Sequence, residues 1–290
     1  MGSTLQKAIV QKQWNNVALH SLLSNKQWSM NKMILNRRQL LKIMAAGSVA
    51  SLLPKSLSAK NTISPPIKAI AFDAFPVFDP RPIFMLAKQI DPSGVFAKLW
   101  FNKIFGYTWL HTSANRYKSF EAIIKDALVF SAQRLKIKLS SENQKQLLSI
   151  WVNLKAWPDV KSTLKQLQEQ NIRLGFLSNF SEEMLRRNAK NSGIEKQFEF
   201  YLSTDQVKLF KPSPAAYQMG VDQLSMPKEN IAFTAFAGWD ASGASWFGYP
   251  TVWVNRLDFP AEKLGTPISQ VGRDLSALTK FVAHRNQWKS

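Results

Sequence analysis

The 290-residue chain contains no cysteine and only three histidines, His20, His111 and His284. The first absence excludes disulfides, thiolate catalysis and cysteine-built zinc sites. The second leaves no short-spaced histidine pair, so a histidine-built metal centre is not expected either. No apolar run reaches the roughly 20 residues that a membrane-spanning helix needs, and a stable span is not expected. Acidic residues are missing altogether from residues 1–59, which hold eight of the 38 Lys and Arg. That segment therefore contributes +8 of the net +19, and the other 231 residues, with 30 basic and 19 acidic groups, contribute +11.

A charge of this size raises the question of nucleic acid, because Lys and Arg drive non-specific binding by neutralising phosphates. After residue 59, however, basic and acidic residues are interspersed, with no dense Lys/Arg run and no nucleic-acid-binding module. A solvated surface is the expected reading, with an attraction for a small acidic substrate left open. The 45% of hydrophobic residues is enough to bury a real core.

Residues 1–59 read as an address rather than as part of the fold. Asn36-Arg37-Arg38-Gln39-Leu40-Leu41-Lys42 precedes an apolar stretch from Ile43 to Leu53, then Pro54 and the small-residue run Ser56-Leu57-Ser58-Ala59. Positive charge, a short apolar run, a breaker and small residues make a secretory layout. The paired arginines resemble a twin-arginine signal, which implies the twin-arginine export machinery, cleavage near Ala59 and a periplasmic location. The alternative is a short amphipathic helix of a cytoplasmic protein, which leaves the acid-free composition unexplained. Thirty-five residues precede the motif, so Met30 and Met33 are candidate starts.

Beyond the address, Ile67 to Phe72 is short and nearly all apolar, as befits a strand covered on both faces, and it stops at Asp73. Pro76, Pro80 and Pro82 predict irregular chain next. Residues 84–155 read as helices rich in Phe, Trp and Leu, with a break at Pro92 and Gly94. Alternation then resumes: helix 160–170, strand 172–177, helix 182–191, strand 198–203, helix 215–224, strand 231–236, helix 241–247 and strand 251–255. This implies a Rossmann-like α/β fold, a parallel sheet with helices on both faces. The expected organisation is a core domain from residues 60–82 and 156–290 and a helical cap at 83–155, whose apolar character leaves room for a homodimer.

In such sheets, chemistry gathers beyond the carboxyl ends of the strands. There stand Asp73, Ser178 with Asn179, Asp205 with Lys208 and Lys211, and Asp240. Asp73 becomes a nucleophile if a cation and a hydroxyl hold and aim it, roles open to Lys211 and Ser178. Hydrolysis of the resulting ester needs a base for water, a role open to Asp240. Read singly, each has an ordinary structural explanation, such as a helix cap for Asp73 or Ser178 and a solvated loop for Lys211.

Four ordered segments resemble the motifs of the haloacid dehalogenase superfamily. They are Phe72-Asp73-Ala74-Phe75, Leu177-Ser178-Asn179, Lys208-Leu209-Phe210-Lys211-Pro212 with Tyr217, and Gly238-Trp239-Asp240-Ala241-Ser242-Gly243-Ala244. The resemblance spans residues 67–282 and is nearest to the type II L-2-haloacid dehalogenases, with Gly106-Tyr107-Thr108-Trp109-Leu110 in the cap. It implies attack by Asp73 on C2 of a 2-haloacid, loss of halide and hydrolysis to a 2-hydroxy acid. It further implies that Ser178 helps to hold the substrate and that Lys211, assisted by Tyr217, balances the charge of Asp73. Asp240 would orient or activate water, while Asn179 and Trp239 would line the pocket.

Phosphatases of the superfamily place a second aspartate two residues after the nucleophile, where this chain has Phe75. No metal and no cofactor are therefore expected. The chain also departs from the dehalogenase pattern. Phe101 stands where they carry a halide-binding arginine, Pro76-Val77-Phe78 replaces Gly-Thr-Leu, and Ala235 and Ala237 replace a serine and an asparagine. Arg81 and Arg116 are candidate replacement cations. Three readings follow: a metal-independent hydrolase, a binding domain of the same fold without turnover, and a magnesium-dependent phosphatase.

Overall fold

In the computed structural model, residues 64–287 are described. The twin-arginine segment, His20 and the expected cleavage site near Ala59 lie outside them. No helix among the described residues is long and apolar enough to cross a membrane.

The first strand, β1 (Ala69–Phe72), has every residue buried. Ile70 and Phe72 belong to one apolar cluster and Ala69 and Ala71 to the other, as the two-residue period of a strand requires when both faces are covered. The sheet is completed by β2 (Arg173–Ser178), β3 (Phe200–Ser203), β4 (Ile231–Ala235), β5 (Thr251–Val254) and β6 (Gln270–Gly272), in the order β3-β2-β1-β4-β5-β6. All five pairings are parallel. Strand order reverses at β1, so the chain leaves the β2 side and resumes on the β4 side with β1 between them. The crevice at the carboxyl end of β1 is the place where such sheets bind ligands.

After β1 comes one helical turn, α1 (Ala74–Val77), and not the irregular stretch expected from the prolines. Pro76 is accommodated because the amide that proline lacks has no intrahelical acceptor in a first turn. For the same reason Pro82 sits near the start of α2 (Arg81–Ile90). The chain continues through α3 (Val95–Ser113), α4 (Phe120–Arg134) and α5 (Ser141–Ser149), all helical, before α6 (Val160–Glu169) leads into β2. This excursion departs and returns at one point, since Phe78 and Ala156 form an antiparallel bridge and the amide of Trp157 donates to the Val77 carbonyl at 3.0 Å.

Beyond β2 the alternation follows the expected order, with α7 (Glu182–Asn191), α8 (Pro214–Leu224), α9 (Gly238–Phe247) and α10 (Ser276–Asn286). Leu164, Leu185 and Leu278 bring α6, α7 and α10 to one face, while Met219 and Ala244 bring α8 and α9 to the other. Two boundaries matter for the site. Helix α9 begins at Gly238, three residues earlier than its apolar pattern suggests, so Asp240 lies in a helical first turn. Strand β6 and helix α10 were not expected; β6 is three residues of half-buried and exposed chain with no apolar run to mark it.

Gly175 in β2 is set by packing. A Cβ there would lie 2.2 Å from the Phe200 ring on the neighbouring strand. Gly175→Ala is expected to destabilise the protein by about 1–3 kcal/mol, as overpacking of a filled core does. Urea unfolding checks this: the midpoint should fall with the slope unchanged.

Candidate active site

Asp73 occupies the N-cap position of α1 but makes no capping bond with its side chain. Its backbone amide donates to the Thr234 carbonyl at 3.0 Å, which ties it to β4, and its carboxylate turns elsewhere. Asp73 Oδ1 accepts from Lys211 Nζ at 2.9 Å and from Ser178 Oγ at 3.1 Å. No hydrogen bond from the described residues reaches Oδ2 in this arrangement, and the side chain retains 14% exposure. The ordinary role of a cap is thus not the one this carboxylate fills.

Lys211 is 1% exposed and donates to a second carboxylate, Asp240 Oδ2, at 2.6 Å. Asp240 is equally buried, and its other oxygen accepts from Tyr217 OH at 2.7 Å. One buried ammonium therefore holds two carboxylates, and charge-assisted bonds of this kind are worth roughly twice a neutral one. Burial pulls the Lys211 ammonium down, but Asp240 and Asp73 outweigh it and the group ends above its ordinary value. Burial pushes Asp240 up to about 6, with Lys211 opposing the shift and Asp73 adding to it. Burial, followed by the charge of Asp240, raises Tyr217 well above the usual phenol range.

A cavity of about 350 Å³ opens onto this cluster, a size suited to a small molecule. Asp73, Phe75, Ser178, Asn179, Lys211 and Trp239 are all on its wall. Asn179 lies at the end of β2, where its Oδ1 accepts the Lys211 amide at 3.0 Å and so fixes the loop carrying the lysine. Its Nδ2 is buried without a partner among the described residues. Phe75 packs edge-on against Phe180 with ring centres 5.3 Å apart. Trp239 meets Phe105 and Trp109 of α3, with centroids at 5.5 and 5.6 Å. The helices inserted between β1 and β2 thus supply one side of the cavity, through Phe84, Phe101, Phe105 and Phe120.

Tyr217 and Asp240 are not on the cavity wall. Asp240 stands behind Lys211 and bonds both it and Tyr217, so contact between Tyr217 and a substrate is not what the geometry provides. Asp205 also lies off the wall, half-buried, and Lys208 rests over the Tyr117 ring at 4.7 Å. Neither candidate replacement cation reaches the cavity. Arg81 is held by Asp79 at 2.7 Å on the surface, and Arg116 is exposed.

The residues present do not suit magnesium. The position two after Asp73 is an apolar ring, and Asp73 and Asp240 both already bind Lys211, whose charge occupies the place of a cation. Among the described residues no three His, Asp or Glu side chains gather as a ligand set.

Three residues outside the strand-end set, Arg256, Asp159 and Trp157, brace the turn that follows Asp73. Arg256, just past β5, donates to the Pro76 carbonyl at 3.1 and 2.8 Å and pairs with Asp159 at 3.0 Å. Its guanidinium lies 4.7 Å from the Trp157 ring centre, and the Trp157 indole donates to the Phe75 carbonyl at 3.0 Å. The carbonyls of the second and third residues after Asp73 are thereby pinned from outside the turn. Arg256 stands two residues past the end of β5, which marks it as near the carboxyl edge of the sheet but not as the partner of the Pro76 carbonyl.

A parallel sheet of this order, with a helical excursion after the first strand and the Asp73–Lys211–Asp240 cluster at its carboxyl edge, defines a class, and sequence comparison agrees with it. Residues 95–248 match the haloacid dehalogenase-like hydrolase family model, and the chain belongs to that family. Similar proteins include haloacetate dehalogenase H-2 of Moraxella sp. (strain B), 33% identical over 202 residues that cover 69% of this chain and 90% of the relative. Another is an (S)-2-haloacid dehalogenase of Pseudomonas putida, 29% identical over 221 residues, which cover 75% of this chain and 97% of the relative. A crystal structure of an L-2-haloacid dehalogenase superposes with a TM-score of 0.72 at 34% identity, covering 75% of this chain and 99% of the other.

Proposed function

We propose that this protein is a metal-independent hydrolase that breaks a carbon–halogen bond by way of an ester on Asp73. One observation carries the reading: Asp73, spared from capping, offers a cavity-facing carboxylate whose Oδ1 is held by Lys211 and Ser178 while Oδ2 is left to react. Oδ2 attacks the carbon bearing the halogen; the C–O bond forms as the C–X bond breaks, and halide leaves with the electron pair. Lys211 and Ser178 keep the carboxylate aimed, which places reactant and catalyst in a near-attack geometry. Water then adds to the ester carbonyl, and its first proton reaches Asp240 through Lys211, the ammonium on the cavity wall that touches both carboxylates; the acyl C–O bond breaks, the second proton goes to the leaving alkoxide, and the alcohol departs with the Asp73 carboxylate regenerated and one proton released. The dehalogenase names of the relatives support this reaction class.

A single turnover in heavy-oxygen water tests it. Attack of water on the ester carbonyl puts the label into the Asp73 carboxylate, seen by mass spectrometry of the peptide. Label appearing only in the product alcohol would mean that water displaces the halide directly, and the ester would be excluded.

The raised Asp240 value sets a pH limit. As pH falls through about 6 the group protonates and ceases to accept the proton of the water. kcat is expected to drop about tenfold between the neutral plateau and pH 5, with unit slope, and Asp240→Asn should abolish that inflection along with most of the rate. A flat acid limb in the wild type would remove Asp240 from this role.

The apolar wall at Phe101 and Ala237 favours a second reading, a binding domain of the same fold without turnover. It predicts ligand-induced stabilisation with no label on Asp73.

A further inference from the structure

The turn that follows Asp73 is too short to hold its own shape. Helix α1 is four residues long and receives no side-chain cap from Asp73. Its one closing bond runs from the Phe78 amide to the Ala74 carbonyl at 2.8 Å, and a single turn fixes several backbone angles for that one bond. The carbonyls of Phe75, Pro76 and Val77 are left as the orphans of its carboxyl end. Two residues take all three. Trp157 donates to Phe75 O through its indole at 3.0 Å and to Val77 O through its amide at 3.0 Å. Arg256 donates to Pro76 O from Nε at 3.1 Å and from Nη2 at 2.8 Å.

These two residues are themselves held. The guanidinium groups of Arg256 and Arg81 lie 4.7 and 4.5 Å from the Trp157 ring centre. Both Asp159 oxygens pair with Arg256 at 3.0 Å, and Oδ2 also accepts the Leu275 amide at 2.9 Å, just before α10. Trp157 and Asp159 belong to the chain returning from the inserted helices and Arg256 to the loop after β5, so separate parts of the fold converge on one turn. None of the three is on the cavity wall. The Arg256 side chain is only 5% exposed, and burying an ion costs free energy that an apolar side chain of similar volume would not. What the charge supplies here is a strong, forked grip on a carbonyl three residues from the reacting carboxylate. On the other side of Asp73, its amide is tied to the Thr234 carbonyl at 3.0 Å. The main chain is thus fixed before and after the aspartate, while Oδ1 is held by Lys211 and Ser178.

Resting on the reading of Asp73 as nucleophile, we propose that Arg256 and Trp157 are positioning residues for the attack on carbon: by fixing the carbonyls of the turn they set the direction in which Asp73 Oδ2 meets the substrate. They lie off the cavity wall, so they serve the geometry of attack and not the binding of substrate. Misplacing a reacting atom by about 1 Å costs on the order of 100-fold in rate.

The test is single turnover of 2-chloropropanoate with the full-length protein in excess, following chloride release and the ester on Asp73 by quenched-flow mass spectrometry. Varying the protein concentration gives a limiting rate and a half-saturating concentration, each corrected for the folded fraction. Arg256→Gln is expected to lower the limiting rate by about 100-fold and to change half-saturation by less than about threefold. Arg256→Lys, which keeps a cation beside Asp159 and one donor for Pro76, should recover about tenfold of that loss. Trp157→Phe removes the indole donor but keeps the amide bond to Val77, and should cost about tenfold; it decides the matter alone if Arg256→Gln does not fold. Gly175→Ala, destabilised elsewhere in the core, should keep the wild-type limiting rate, which separates lost aim from lost stability. An unchanged limiting rate in Arg256→Gln and Trp157→Phe, a loss confined to half-saturation, or an equal loss in Gly175→Ala overturns the inference while the ester on Asp73 still forms. A wild type that yields neither ester nor chloride removes the nucleophile, and the positioning role with it.

Discussion

Asp73→Asn is expected to lower kcat for halide release by on the order of 10⁴ or more and to eliminate the Asp73 adduct, with little change in the urea midpoint. The amide nearly matches the carboxylate in shape, so the contacts of the turn survive. The Trp157 and Arg256 bonds go to the carbonyls of Phe75 and Pro76, which the substitution does not touch. Lys211 keeps Asp240 as a partner at 2.6 Å and is not left bare in the interior. What disappears is the anionic oxygen at the cavity wall, and with it the capacity to form an ester. Retention of even a tenth of the rate would show that another group attacks carbon. A wild type that binds organohalides but never releases halide would point to the binding-domain reading.

Lys211→Met carries the second large effect. Methionine approximates the length and apolar stem of the lysine, so the packing beside Phe233 is largely kept, but Asp73 and Asp240 then confront each other without a cation. Removing one partner from a buried charged group costs about 3–5 kcal/mol, because the remaining charge stays desolvated. The loss should appear as a lower urea midpoint at pH 7.

Its pH dependence has a definite sign. A carboxyl raised from 3.8 in the unfolded chain to about 6 in the fold binds more protons folded than unfolded between those values, so it weakens the protein as pH rises through that window. Without the lysine the folded value moves higher still, and the destabilisation of Lys211→Met should shrink as pH falls from 7 to 5. A deficit that is constant across this range would mean that lost packing, not unpaired charge, explains it. Activity should fall with stability and should not return at low pH, since protonated Asp240 is no base.

Much of the fold was legible because a doubly covered parallel sheet writes itself as short apolar runs punctuated by helices. Phe72-Asp73, Leu177-Ser178 and the segment around Asp240 could each be placed at or near a strand end from the pattern alone. The prolines predict irregular chain after Asp73, and a helical turn forms instead because prolines break helices in their interiors and not in their first turns. Strand β6 left no trace, since an edge strand of three partly exposed residues needs no apolar run. The role of Arg256 is not legible in the chain, because its partner is a main-chain carbonyl and nothing in a residue's type announces which distant carbonyl it will meet.

By itself, the amino-acid sequence determined the alternation of elements, the family, and the residue types available for chemistry: one carboxylate at the end of β1, with a hydroxyl, an ammonium and a second carboxylate downstream. Only the tertiary structure decided that Lys211 is shared between Asp73 and Asp240, that Tyr217 stands behind the cluster and not on its face, and that Arg81 and Arg116 remain outside. The physical reason is distance along the chain. Asp73 and Lys211 are 138 positions apart, and their encounter depends on parallel strands joined by long crossovers, whose packing sets which side chains end up facing one another.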